Sequence, residues 1–228
     1  MDPMTGHVAF DFDGTLVRSN KLKKACFYEV AARLPGAAAT LDDLFARHPE
    51  LDRHGMFRAL LAALPARVVA TVSADKLVAE YGRLCRARIA SADEVPGAGD
   101  ALARLKASGV RLYLISATPQ GPLEDSVADR GLTGTFDRVL GGPTDKATHL
   151  RRILSDHAIG PADIVMVGDG RDDQAAARSI GCPFIAVTDQ PKEVLRDAGQ
   201  SVADLWDLPG VLGLGAPAGS AARMGGRP

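Results

Sequence analysis

The stretch Val8-Ala9-Phe10-Asp11-Phe12-Asp13-Gly14-Thr15-Leu16-Val17 decides the reading of this chain. Val8, Ala9 and Phe10 form a short apolar run of the kind that becomes a buried strand. Two carboxylates follow, two residues apart, with an aromatic between them. Strand side chains alternate faces, so the spacing predicts Asp11 and Asp13 on one side and Phe12 on the other. Gly14 marks a turn. Two like charges held that close repel one another. A divalent cation relieves the repulsion, and a hard ion such as magnesium prefers oxygen ligands. The alternative is a polar strand end in which Asp13-Gly14 merely turns the chain.

Outward from this stretch, the next region is helical. Asn20 is a candidate cap for a helix in which Leu22, Cys26, Phe27, Val30 and Leu34 form one apolar stripe, ended by Pro35-Gly36. Thr40 and Asp43 suggest a cap on a short helix to Ala46. Further helices are expected from Met56 to Leu64 and, capped by Ser73, through Leu77, Tyr81, Cys85 and Ile89. Only Val68-Val69 hints at a strand there. Residues 17–94 therefore read as a small inserted helical domain. Its lysines and arginines are mostly solvated faces, but a subset would suit an anionic substrate, and Lys24 and Arg53 are the candidates.

After Pro96 the pattern alternates strand and helix. Strands are expected at Val110–Ile115, Phe136–Leu140, Ile164–Val167, Pro183–Val187 and, as a short edge, Ser201-Val202. Helices are expected at Asp100–Ser108, Leu123–Arg130, Lys146–His157, Gln174–Ile180 and Glu193–Ala198. Continuous apolar strands between amphipathic helices mean an α/β fold: a Rossmann-like parallel sheet with helices on both faces. The core is then 1–16 with 95–212, and the Gly-, Ala- and Pro-rich tail 213–228 is expected to be disordered. Ligands bind such sheets at the carboxyl ends of the strands. Polar clusters sit at those ends: Asp11 and Asp13, then Ser116, then Asp169.

Ser116 directly follows an apolar run, so its hydroxyl and the next N–H groups can hold phosphate oxygens. It fits better than Thr118, which is two residues beyond the run. Lys146 opens a helix, where a cation opposes the helix dipole unless an anion is held there; tethering to Asp145 is the alternative. In Gly168-Asp169-Gly170-Arg171-Asp172-Asp173, Asp169 ends a strand and Asp173 lies four residues on, so both can face one site. Asp172 competes with Asp173 for that role.

These four motifs, in this order, resemble the haloacid-dehalogenase-like hydrolase superfamily, and the chain is similar to its phosphoglycolate-phosphatase-like members with a helical cap. The resemblance implies a magnesium-dependent phosphatase acting on a small phosphomonoester. Asp11 is then the nucleophile and Asp13 the general acid/base. Ser116 and Lys146 bind phosphate. Mg2+ is held by Asp11, the Asp13 carbonyl and Asp169, with Asp173 behind them. A phosphosugar mutase would share all these residues, and a non-catalytic phosphate-binding protein is a remoter alternative. A dehalogenase is disfavoured, because a halide needs no proton donor and that chemistry usually lacks the second Asp.

Composition narrows the setting. Apolar content of 46% and charged content of 24% suit a soluble globular chain of 228 residues. A net charge of −1 favours neither nucleic acid nor an anionic membrane. Cys26, Cys85 and Cys182 are odd in number and widely spaced, as free thiols in a reducing compartment are. Asp2, Asp11 and Asp13 interrupt the N-terminal apolar run, so no signal peptide is expected. No stretch has the ~18 apolar residues of a membrane span. The expectation is a cytoplasmic monomer or homodimer acting on a small phosphorylated metabolite.

Overall fold

The computed structural model describes residues 6–49, 51–188 and 199–214. It divides into two compact units, one of residues 1–17 with 94–228 and one of residues 18–93. The larger unit is an α/β domain around a six-stranded parallel sheet. Its strands are β1 (His7–Phe10), β2 (Arg111–Pro119), β3 (Arg138–Gly142), β4 (Ile164–Gly168), β5 (Phe184–Val187) and β6 (Gln200–Val202). Their order across the sheet is β3-β2-β1-β4-β5-β6, with every neighbouring pair parallel.

The sheet interior is apolar because both faces are covered. The helices of this unit are α6 (Ala98–Ala107), α7 (Gln120–Asp129), α8 (Lys146–His157), α9 (Arg171–Ile180) and α10 (Leu208–Val211). On one face, Ala9, Tyr113, Ile115, Ile164, Met166, Phe184 and Ala186 pack with Leu150 and Ile153 of α8 and Ala176 and Ala177 of α9. Val8, Phe10, Leu112, Leu114, Val165 and Val167 alternate with them and are also buried. Each fully buried large side chain of this kind contributes roughly 1.5–3 kcal/mol. Successive strands run outward from β1 on one side as β2 and β3 and on the other as β4 to β6. The order reverses at β1, which makes the carboxyl ends of β1 and β4 the place for a ligand.

The smaller unit is helical: α1 (Asn20–Ala31), α2 (Ala37–Arg47), α3 (Arg53–Ala63), α4 (Ala66–Val69) and α5 (Ala74–Ala90). The expected α1 stripe buries Cys26, Phe27 and Val30, and Phe27 lies 4.3 Å from the Tyr81 ring and 5.0 Å from that of Phe57, centroid to centroid.

Several local expectations need correction. Val68 and Val69 lie in a helical turn. α2 starts at Ala37, because Gly36 takes φ +85° and lets the chain enter the helix four residues before the start that a Thr40 cap implies. Thr40 is therefore inside the helix, where its hydroxyl donates to the Gly36 carbonyl. α9 starts at Arg171, three residues before the expected Gln174. β2 runs on to Pro119, and β3 begins two residues later than expected. The expected helix at Glu193–Ala198 and most of the tail lie outside the described residues.

Candidate active site

β1 ends at Phe10, although the Asp11 N–H still donates to the Val167 carbonyl at 2.9 Å. Residues 12–17 then fold into a tight turn. Leu16 and Val17 N–H groups both donate to the Phe12 carbonyl, and Gly14 N–H donates to Val17. Gly14 sits at φ +87°, where a Cβ would be strained. The strand alternation expected through Asp13 is thus cut short. The turn, not the pleat, brings Asp13 near enough to raise the Asp11 pKa.

Asp11 is 4% exposed and its Oδ1 accepts from Lys146 Nζ at 2.9 Å. Lys146 is buried too, and its ammonium also reaches Asp173 Oδ1 at 2.5 Å and Asp172 Oδ2 at 2.8 Å. Tethering to Asp145 does not occur. Asp145 instead caps α8, accepting from the N–H and the hydroxyl of Thr148. Asp172 therefore joins the same ammonium as Asp173, but from an exposed position.

One oxygen from each of Asp11, Asp169 and Asp173 lies within 4.8 Å of the others. Asp173 gets there because α9 starts just after Gly170, whose N–H donates to Asp173 Oδ2 at 3.0 Å. Its carboxylate lies against Gly168, where any Cβ would overlap it. The two glycines beside Asp169 are thus part of the site: they let a carboxylate fold back over the strand end.

Burial pushes the Asp11 carboxyl well above the usual carboxylate range. Lys146 opposes this, while Asp173 and Asp13 add to it. Burial likewise raises Asp173 to about 6 against the pull of Lys146. Burial alone would lower the Lys146 ammonium, but Asp11, Asp173 and Asp172 together hold it above its ordinary value. One ammonium thus faces three carboxylates. An all-oxygen cluster with surplus negative charge fits a hard divalent cation.

On β2, Ser116 and Thr118 are both buried. The Thr118 N–H donates to Ser116 Oγ at 3.1 Å, and its hydroxyl donates to Asp13 Oδ2 at 3.1 Å. The two leading carboxylates therefore have different partners: Asp11 has a lysine, Asp13 a threonine. Lys24 and Arg53 lie in the helical unit, where Lys24 Nζ sits 4.9 Å above the Phe45 ring and the Arg53 guanidinium 5.8 Å from that of Tyr81.

The chain matches the family model for haloacid dehalogenase-like hydrolases over residues 5–181. It is 29% identical over 204 residues to the phosphoglycolate phosphatase of Rhodospirillum rubrum, covering 79% of this chain and 78% of that protein. It spans about half the length of several other relatives of the same description. Among solved structures, a Haemophilus somnus protein named as a predicted phosphoglycolate phosphatase superposes with a TM-score of 0.73 at 16% identity, covering 92% of this chain and 99% of that one. CbbY of Rhodobacter sphaeroides, in complex with phosphate, gives 0.72 at 20%, covering 90% and 96%.

Proposed function

Because the chain belongs to the haloacid dehalogenase-like hydrolase family, we propose that it is a cytoplasmic, magnesium-dependent phosphatase that hydrolyses a small phosphomonoester, such as phosphoglycolate or a sugar phosphate, through an aspartyl phosphate on Asp11. Its family and its phosphatase relatives make it a phosphoric monoester hydrolase. The observation that carries the finer reading is the convergence of Asp11, Asp169, Asp173 and Lys146 at the carboxyl ends of β1 and β4.

A phosphate dianion and a carboxylate nucleophile repel, so charge must be neutralised before attack. Asp11, Asp169 and the backbone carbonyl of Asp13 would hold the magnesium ion, whose charge offsets that of the phosphate and keeps the buried carboxylates ionised. Asp173 orients this set from behind, since both its oxygens are already bonded, one to Lys146 and one to Gly170. Lys146 holds Oδ1 of Asp11 and, with Ser116, receives the phosphoryl oxygens as charge moves onto them. Asp11 attacks phosphorus, forming the new P–O bond as the bond to the alcohol breaks. Asp13, oriented by Thr118, protonates the departing alkoxide and then takes a proton from the water that cleaves the aspartyl phosphate. We place substrate choice in the helical unit, with Lys24 and Arg53 as its contacts.

The test is a screen of phosphorylated metabolites for release of inorganic phosphate. Release is expected with magnesium, should stop with EDTA, and should return when magnesium is restored. Full activity in excess chelator would overturn the metal assignment. An isomeric phosphate in place of inorganic phosphate would make the enzyme a mutase.

A further inference from the structure

β2 and β3 run in register from Tyr113–Arg138 to Ile115–Leu140, and the next pair is Pro119–Gly142. Between these pairs β2 takes four steps and β3 two, so β2 bulges by two residues. The bulge contains Ser116 and Thr118. Such a bulge displays side chains at the cost of regular pairing, and something else must hold the two strand ends together.

Gln120, the first residue of α7, makes that connection. Its Oε1 accepts from the Gly141 N–H at 2.6 Å, and its Nε2 donates to the Val139 carbonyl at 2.9 Å. An N–H can only donate and a carbonyl only accept, so these partners fix which end of the amide is which. Gly141 and Val139 flank Leu140. The amide thus makes with β3 the two bonds, flanking Leu140, that the N–H and C=O of one residue in a neighbouring parallel strand would make. On the other side, the Gly141 carbonyl accepts from His149 Nε2 of α8 at 3.1 Å. This places the ring proton on Nε2. There is no room for a side chain at Gly141, because a Cβ would come within 2.7 Å of the Thr118 carbonyl and of Gln120 Cα. Gly141 is therefore gripped at its N–H, its carbonyl and its α-carbon. Five residues later the chain reaches Lys146.

We propose that Gln120 is a positioning residue that sets the phosphate-holding groups Ser116 and Lys146 at a fixed separation, by clamping the β2 bulge to the end of β3. This rests on the phosphatase reading given above. Misplacing such groups by about 1 Å costs up to about 100-fold in rate. Gln120→Met keeps the length and removes the amide. It should expose the Gly141 amide to faster hydrogen exchange, weaken inorganic phosphate binding about tenfold and lower kcat by about 10- to 100-fold, with a melting temperature close to that of the wild type. The Gln120 amide also donates from Nε2 to Glu124 Oε1 at 2.6 Å, so the acceptor for Gly141 is restored without two facing carboxylates only in the double variant Gln120→Glu with Glu124→Gln, which should recover part of both losses. If Gln120→Met does not fold, this double variant carries the test through the same readouts. Faster exchange at Gly141 with phosphate affinity and kcat unchanged would overturn the proposal. A wild-type protein that turns over no phosphomonoester would instead refute the phosphatase reading. Titration with inorganic phosphate would then decide the role of Gln120 alone: tenfold weakening in the Met variant supports it, and equal affinity overturns it.

Discussion

Lys146 shows how far one residue's setting departs from its sequence signal. A lysine at a helix start is ordinarily solvated, and nothing in Thr144-Asp145-Lys146 says otherwise. In the fold it is 8% exposed and shared by Asp11, Asp172 and Asp173. Removing one partner of a buried charge cluster leaves the others uncompensated, at a cost of about 3–5 kcal/mol. Lys146→Met should therefore lose stability of that order in urea unfolding without magnesium, and magnesium should restore part of it. Its kcat should fall by about 100- to 1,000-fold. A variant as stable as the wild type in EDTA would mean that these acids are protonated and the ammonium balances nothing. Asp11 and Asp169 stand out in the sequence because each follows directly on an apolar strand run, whereas the choice of Asp173 as their companion comes from the structure. Thr118 was harder to see. The apolar run of β2 stops at Ser116, and no residue type announces that the strand bulges and carries on. Asp172 could not be separated from Asp173 by spacing, since both lie in the first turn of α9.

The elements were legible where hydrophobic period governs them, and less so where a glycine or a side-chain bond does. The edge strands β3 and β6 carry polar or glycine residues and a weaker signal, whereas β1, β2, β4 and β5 follow from continuous apolar runs. The α9 start did not, because it depends on the Gly170 N–H finding the Asp173 carboxylate. The same helix start explains Gly168, which ends β4 where a Cβ would overlap Asp173. Gly168→Ala should displace Asp173 from its place beside Lys146. If Asp173 orients the carboxylates proposed to hold magnesium, magnesium affinity should fall by about 10- to 100-fold, as read by calorimetric titration. Wild-type affinity in this variant would show that Asp173 has no part in orienting the cation's ligands.

On the scale of the whole molecule, the sequence marks the helical insert by its loss of strand pattern, and the two compact units divide at 17/18 and 93/94. Val17 and Glu94 fall in the core unit because they pair with each other, and Val17 also pairs with Asp13. A bridge of this kind leaves no trace in composition. No helix among the described residues is long and apolar enough to cross a membrane. If the insert chooses the substrate while the core does the chemistry, Lys24→Ala and Arg53→Ala should change the ranking of phosphorylated metabolites more than the rate with a small generic phosphate ester. Equal loss on every substrate would contradict that division.

The central claim is that Asp11 and Asp13 divide the reaction into attack and proton transfer, and rapid-quench kinetics with nitrophenyl phosphate test it most directly. Asp11→Asn removes the nucleophile, so neither nitrophenol nor an aspartyl phosphate should form. Asp13→Asn keeps the nucleophile, and nitrophenolate leaves without a proton donor. This variant should release a burst of nitrophenol equal to the enzyme present and then stall as the aspartyl phosphate, because the second step lacks its base. With an alkyl phosphate its first step should slow by about 100- to 10,000-fold. A burst from Asp11→Asn and none from Asp13→Asn would contradict the account.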